Sequence, residues 1–407
     1  MNHTSHPKPM APSLQQYRAS VQALAPAYGL PGSKNEAYMY SRLGVLAEIL
    51  HPYAAMTEVA TGSMPSALEL CGSAAKVKGT AFASLSEAEA QHLVGILQQG
   101  DVLYRDFFTH LSAFYAHPAS STFFKVAAAD PASPVVLERT LQGNEQGLQA
   151  EQRVFHIQKG ASLNLLEVFS VAQSSTKTAA HFYAPSSIFI LEEGAELVHV
   201  VEANWMQPLH FCFADTRVIL KKNAKYTAFS FLAGSANIRH QYHVALEDSG
   251  AEAVLRGLSV GQGAAVLEQH VTVQHQYSHS ESVQAFKSIL TEEAKAVFSG
   301  CIDVRSGCEK IVAAQNNQHL LLSPKAQGIS RPQLQVLSRD VRCSHGSAAG
   351  PLREEAIFYL QSRGIARQLG EQMLAEAFAS ELIATIPDLT FRTRIQKALK
   401  AELAALI

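Results

Sequence analysis

The chain contains no run approaching the roughly 18 consecutive apolar residues of a membrane span, so no membrane passage is expected. Charge is sparse and balanced: 17% of the 407 residues are charged, and the formal net charge is -2. Without clustered Lys and Arg to displace counterions, no nucleic-acid partner is expected either. The five cysteines (Cys71, Cys212, Cys301, Cys308, Cys343) are odd in number and include no Cys-x-x-Cys pair. That suits a reducing compartment rather than a disulfide framework. Met1 to Ser13 is polar and proline-punctuated, with no apolar run suited to a signal peptide, and cytoplasmic residence is the expectation. No Gly-x-x-x-x-Gly-Lys-Ser/Thr loop and no His-Glu-x-x-His occur, which removes P-loop nucleotide binding and the zinc-protease pattern.

What is present is apolar residues, 47% of the chain, enough for a large folded body. The first third reads as helical. Ser86 and Glu89 have capping-box spacing ahead of Leu93, Ile96 and Leu97, and Leu103, Phe107, Leu111 and Phe114 form one amphipathic face before His117-Pro118. From about Phe123 the pattern changes to short β-branched runs with turn signals between them. Examples are Val135-Val136-Leu137, Ile188 to Leu191, Arg217 to Leu220, His270 to Val273 and Leu334 to Leu337. No long helical stripe separates them before residue 350, which argues against alternating β/α folds.

A weak echo runs through this region. Lys159-Gly160-Ala161, Glu193-Gly194-Ala195, Lys222-Asn223-Ala224 and Ser249-Gly250-Ala251 recur about every 30 residues, the spacing of repeat architectures. Looser copies are Glu293-Ala294-Lys295 and Lys325-Ala326-Gln327. Periodicity alone leaves a parallel β-helix and a β-sandwich both open. After Gly350-Pro351 helical spacing returns: Ala356 and Leu360, then Ile365, Leu369 and Met373 beyond Gly364, then Leu374, Phe378, Leu382 and Ile383. A last stripe carries Phe391, Ile395, Leu399 and Leu403.

Chemistry-bearing patterns are few. Gly257-Leu258-Ser259-Val260-Gly261 matches a nucleophile elbow, but strand-like flanks on both sides favour a glycine-bent strand. His275 and His279 are four apart with strand character around them, so they are expected on one face as secondary metal candidates. The alternative for them is a polar or hydrogen-bonded face. Cys301 and Cys308 are read as small structural residues. Cys343 and His345, two apart in an extended segment, project from one face, where a thiolate and an imidazole can share an iron or zinc ion. Two ligands do not complete a tetrahedral site, so the remainder would come from elsewhere in the chain or from another subunit.

These residues carry a resemblance. Asp340-Val341-Arg342-Cys343-Ser344-His345-Gly346, Gly350-Pro351-Leu352 and Phe358 to Ile365 resemble the signature of the SufB/SufD family of iron–sulfur assembly scaffolds. Leu320 to Ala326, Pro332 to Val336, Val297-Phe298-Ser299-Gly300 and the entry segment Gly29-Leu30-Pro31, Lys34-Asn35-Glu36, Tyr38-Met39-Tyr40 are similar to family segments too. The Cys-Ser-His-Gly form resembles the SufD branch. Tyr38 stands where the family often has tryptophan, Arg339 replaces one of two adjacent acids, and Tyr277 to Ser280 lacks the usual proline and cysteine.

The resemblance implies a mixed, mainly β fold: an N-terminal helical region (1–120), a right-handed parallel β-helix core (121–350) and a C-terminal helical domain (351–407). It implies a non-enzymatic scaffold that pairs with a SufB-like subunit and docks a SufC-like ATPase. Phe358, Tyr359, Leu360, Arg363, Ile365, Leu369 and Phe378 are the implied partner-binding residues. No tightly bound cofactor is expected on the isolated chain. Iron or an iron–sulfur cluster would be held transiently in the complex, with Cys343 and His345 as metal candidates shared with the partner. A homodimer of the isolated chain is left open. The competing readings are a β-helix polysaccharide-active enzyme using carboxylates among Asp215, Glu247, Asp248, Glu268 and Glu281, and a self-associating structural β-helix.

Overall fold

The computed structural model describes residues 11–16, 19, 67–71, 76–97, 121–127, 134–141, 147–171, 181–206 and 208–406. The strands are β1 (Ala67–Cys71), β2 (Lys76–Ala81), β3 (Thr122–Val126), β4 (Val135–Leu141), β5 (Gly147–Ile157), β6 (Ser162–Val171), β7 (His181–Leu191), β8 (Glu196–Trp205) and β9 (His210–Leu220). They continue as β10 (Lys225–Gly234), β11 (Asn237–Leu246), β12 (Glu252–Gly261), β13 (Val266–His275), β14 (Glu281–Leu290), β15 (Lys295–Val304), β16 (Ile311–Leu321), β17 (Gln327–Val336) and β18 (Val341–Gly350). The helices include α1 (Glu87–Leu97), α2 (Glu354–Ser362), α3 (Arg367–Ile383) and α4 (Leu389–Leu406).

Odd-numbered strands from β3 onward stack in one sheet and even-numbered strands from β4 onward in a second. From β5 to β16 each strand pairs parallel with the strand one coil earlier and one coil later. A chain that steps between two such sheets is a flattened parallel β-helix. The mainly β, helix-flanked architecture is therefore as expected, and the β-sandwich, built from antiparallel sheets, is excluded.

The corners explain the repeat. Gly160, Gly194, Asn223, Gly250, His279 and Lys310 form one column of left-handed residues, with φ of 66°, 69°, 55°, 73°, 60° and 57°. Each donates its amide to the next coil: Gly160 to Glu193 O at 3.0 Å, Gly250 to His279 O at 2.9 Å, His279 to Glu309 O at 2.9 Å. The backbone ladder thus continues through the turn. Glycine takes this conformation without a Cβ penalty and Asn tolerates it, which is why the echo shows Gly-Gly-Asn-Gly. Its two looser copies lie elsewhere: Glu293-Ala294 and Lys325-Ala326 occupy the opposite corner, where the second sheet hands the chain back to the first.

In-register parallel pairing sets equivalent side chains about 4.8 Å apart, a spacing that suits stacked rings. Phe124, Phe155 and Phe189 share a register column, with ring centroids 4.5 and 4.8 Å apart. Outside the coil both sheets are covered. α1 packs Leu93 and Leu97 with Phe82 and Leu85 against Val154, Ile188, Ile190 and Ile219 of the first sheet. Its capping box forms as expected, with Ser86 N–H donating to Glu89 Oε2 at 2.9 Å and Glu89 N–H donating to Ser86 Oγ at 3.4 Å.

The stretch read as helical also contains β1 and β2. They pair antiparallel with each other, and β2 pairs antiparallel with β3, so the first sheet begins in a hairpin. The expected helix through Leu103 and Phe114, and the Gly29 to Tyr40 entry segment, lie outside the described residues.

α3 and α4 lie on the outer face of the second sheet. Ala375, Ala379, Leu382, Ile383, Phe391, Ile395, Leu399 and Leu403 form one cluster with Leu166, Val200, Phe229, Phe231, Leu258 and Ile289. Asn164 donates to Asp388 at 3.1 Å, and Lys287 pairs with Glu381 at 2.7 Å. The helical tail is thus part of the body's core. α2 ends as its glycine dictates: Gly364 has φ 82°, its N–H donates to Gln361 O at 2.9 Å, and Ile365 N–H donates to Leu360 O at 3.1 Å. That pair of bonds is a Schellman motif.

Candidate partner and metal site at the open end of the β-helix

The two ends of the coil differ. The first sheet starts in the antiparallel β1–β2 pair. At the other end, among the described residues, β17 pairs only with β15 and β18 only with β16. β18 is ten residues long, has one charged side chain (Arg342) and no proline, and ends in Gly346-Ser347-Ala348-Ala349-Gly350. Natural edge strands are usually blunted by charge, proline, bulges or shortness, and an undefended one is a pairing template. Its small side chains also let another backbone approach closely.

Cys343 and His345 stand on this strand. Cys343 pairs in register with Ala313, and His345 with Gln315. Ala313 and Gln315 are buried, pointing into the coil, so both site residues face the same interior side. Among the described residues no further coil covers them. Cys343 is half-buried, packed against the cluster of Ile302, Val304, Cys308, Ile311 and Ala313, whereas His345 is exposed. Residues two apart on a strand have Cα atoms about 6.6 Å apart, a span that one ion with bonds of about 2.0–2.3 Å can bridge through thiolate and imidazole arms. Among the described residues no group of three or more His, Cys, Asp or Glu is gathered to hold a metal ion. The pair by itself supplies two of the four donors that a tetrahedral ion takes.

The secondary pair does not come together. His275 ends β13 and is buried between Ser280 Oγ (2.8 Å) and Ser282 Oγ (2.9 Å), and burial pushes its pKa down to about 4. His279 lies past the strand, in the left-handed corner column, with φ 60°. The expectation that they share a strand face fails because the chain turns between them. His279 occupies a corner position, and His275 serves as a neutral hydrogen-bonding core residue.

Burial raises the pKa of every described thiol: Cys212, Cys301 (to about 11, with Asp303 adding to burial), Cys308 and Cys343. None is an activated nucleophile by this measure. A cation at Cys343 would have to displace the proton itself. Cys308 is structural as read, placing its thiol 3.6 Å from His275 O. Ser259 lies inside β12, with strand on both sides, so no nucleophile elbow exists there. The carboxylates considered for glycan chemistry are dispersed. Asp215 pairs with Arg217 at 2.7 Å and Glu247 with Lys221 at 2.7 Å, while Glu268 meets Arg239 at 3.1 Å and His270 at 2.9 Å. Asp248 accepts from Ser249 N–H at a corner, and Glu281 begins β14.

A second surface lies on α2 and α3. Phe358 is 72% exposed, Tyr359 57%, Leu369 50% and Met373 44%, and Arg363 stands 5.3 Å from the Tyr359 ring. Exposed large apolar groups in such density mark interaction surfaces. Sequence spacing did not single out Met373 for this surface, and three of the expected residues leave it. Leu360 and Ile365 are partly buried, with Leu360 set against Gly370 of α3. Phe378 packs against the sheet cluster and carries Lys287 Nζ 4.6 Å from its ring centre.

Among the described residues no helix is long and apolar enough to cross a membrane. Fold and site together define a flattened parallel β-helix protein with one exposed sheet end and an apolar helical surface. The chain belongs to the SufB/SufD family: the model described as "SUF system FeS cluster assembly, SufBD core domain" matches residues 140–378. Within the family it is SufD-like. It is 29% identical over 291 residues to the iron-sulfur cluster assembly protein SufD of Escherichia coli K12, covering 71% of this chain and 67% of that protein. A SufBD family protein of Synechocystis is 30% identical over 46% of this chain and 41% of its own length. One from Pyrococcus horikoshii is 26% identical over 60% and 52%. The match thus spans about half or less of those last two relatives.

Proposed function

We propose that this chain is a non-enzymatic scaffold subunit of an iron–sulfur assembly complex. It pairs through the open β17–β18 end with a SufB-like subunit and offers α2 and α3 to a SufC-like ATPase. The observation that carries the reading is the undefended ten-residue edge of β18, on which the two donors Cys343 and His345 stand. Iron or a nascent cluster is cargo here: Cys343 and His345 would hold it jointly with the partner, and they would release it when the complex rearranges. Membership of a family named for iron–sulfur assembly supports this. A second copy of the chain also fits the free edge, and sedimentation of the chain alone and with the SufB-like subunit separates the two pairings.

Two tests address the two surfaces. Deleting residues 351–407 is uninformative, because α3 and α4 cover the second sheet and their loss exposes Phe229, Phe231 and Ile289. Phe358→Asp combined with Tyr359→Ala is the clean probe. Both side chains are exposed, so the thermal midpoint should stay near wild type while affinity for the ATPase falls about 30-fold or more, the loss expected of aromatic anchors. Wild-type affinity would refute the docking surface. Separately, Cys343→Ala and His345→Ala should each reduce cluster formation by the assembled complex about tenfold or more, with pairing intact. Wild-type cluster yield from both variants would remove the half-site.

A further inference from the structure

The rung beneath His345 holds a buried amide with nothing to bond. Gln315 is 2% exposed, and neither its Nε2 nor its Oε1 has a hydrogen-bond partner. Gln284, one coil earlier in the same register column, also has an unpartnered Oε1. The space for Gln315 is made by a residue across the coil: a Cβ on Gly300 would lie 2.0 Å from Gln315 Nε2. Neighbouring polar side chains are, by contrast, paired. Asn317 donates to Phe286 O at 3.2 Å, and His319 bridges Ser288 (2.6 Å) and Ser330 (2.9 Å).

A buried amide without partners lowers stability, and an apolar group of the same shape would remove that burden. Such violations of a local rule are expected where function needs them. Among the described residues, the one beyond Gln315 in its column is His345, its register neighbour on β18. Their side chains leave the same face, about 4.8 Å apart at the backbone, and the exposed imidazole is free to turn inward.

We propose that Gln315 is a positioning residue for His345. Its Oε1 accepts a hydrogen bond from one ring N–H, fixing the imidazole tautomer and directing the other, unprotonated nitrogen toward the open end. A metal-bound histidine commonly donates its other N–H to a carbonyl or carboxylate, which sets ring orientation. Here an amide carbonyl takes that place. The idea rests on the half-site reading above only for the identity of what the free nitrogen meets.

The experiment uses the full chain with ring-15N histidine, the His345 signals assigned by their loss in His345→Ala. In wild type the two ring nitrogens of His345 should report one tautomer. Gln315→Met, close in shape but unable to accept the bond, should return His345 to the tautomer mixture of an exposed histidine. It should also weaken Zn2+ binding, used as the probe ion in calorimetry, about tenfold or more, while its thermal midpoint equals or exceeds wild type. Gln315→Glu, which restores an acceptor, should recover the single tautomer and the Zn2+ affinity. An unchanged His345 tautomer in Gln315→Met overturns the proposal, and so does a Gln315→Met chain that is merely destabilised with no recovery by glutamate. If Cys343→Ala and His345→Ala leave Zn2+ affinity unchanged, the half-site reading fails instead, and the tautomer result still decides the role of Gln315.

Discussion

Glu167→Ala is expected to lower the unfolding free energy by about 3–5 kcal/mol, the loss typical of breaking one partner from a buried ion network. Glu167 is 1% exposed inside the coil. Arg153 donates to it from β5, His199 donates from Nε2 at 2.9 Å, and Ser187 donates at 3.0 Å. Arg153 also pairs with Glu151, which takes Arg139 and the Tyr183 hydroxyl as further partners. Two guanidiniums therefore face two carboxylates, and their formal charges balance. Burial alone would raise the Glu167 pKa, but the Arg153 charge and the His199 and Ser187 hydrogen bonds outweigh it and hold the value at about 2.

Because the folded value lies below the unfolded one, the stabilisation is fully present above pH ~4.5 and is lost as the pH falls toward 2. Alanine removes it at every pH and leaves an uncompensated positive charge in the core. The double variant Arg153→Met with Glu167→Leu deletes one charge of each sign, keeps the remaining pair balanced, and should lose less than Glu167→Ala. Urea unfolding of the three proteins checks this. A double variant no better than the single one would show that Glu167 acts through packing rather than through charge balance.

The same network shows what sequence patterns hide. In the middle coils strands are buried on both faces, and every residue of β9 is buried. Alternation, which reports one wet face, then carries no signal. Glu167, His199 and Arg153 look like surface residues in the sequence, yet they form the polar seam between two apolar corners of the interior. Gln315-Asn316-Asn317-Gln318-His319 likewise reads as a solvated stretch. Only the strand register shows Gln315, Asn317 and His319 turned inward and Asn316 outward.

Local rules with a short-range cause were legible. The Ser86–Glu89 capping box, the Gly364 helix stop and the stripe from Phe391 to Leu403 all formed as their spacing required. Coil corners were legible where Gly or Asn marked the left-handed residue. They were missed where His279 and Lys310 took that conformation, because stacked amides hold them there and no residue preference announces it. The donor pair Cys343 and His345 was visible as an i, i+2 pattern. That no further coil follows it among the described residues is a property of the fold.

Acidification from pH 6.5 to pH 4 is expected to remove much of the stability before Glu167 is protonated. Three interior histidines carry the effect. Burial, with the nearby His199 adding to it, pushes His240 down to about 3, and burial brings His275 and His319 to about 4. Their hydrogen-bond partners are neutral hydroxyls: Thr216 for His240 (2.9 Å), Ser280 and Ser282 for His275, and Ser288 and Ser330 for His319. None of these partners is an anion, so nothing offsets the cost of burying an imidazolium, and the rings stay neutral. Above pH 6.5 both folded and unfolded chains hold these rings neutral, so nothing is lost. Below it the unfolded chain takes up protons that the folded chain refuses, and stability falls with pH until the folded values near 4 and 3 are reached.

Each ring contributes about 3 kcal/mol by pH 4, and three together give a slope approaching ~4 kcal/mol per pH unit. That is large beside a typical total of about 5–15 kcal/mol. Urea unfolding at half-unit pH steps measures it, and His275→Gln, which keeps hydrogen-bonding groups but does not titrate, should lower the slope by one proton. His275 on β13 and His319 on β16 lie two strands and one strand from the open end of their sheets, so their protonation should loosen that end first. Hydrogen exchange at pH 5 should therefore quicken in β16–β18 while β5–β9 stay protected. A stability flat from pH 6.5 to 4.5, or exchange that rises evenly along the coil, would show that the rings are already charged or solvated in the folded chain.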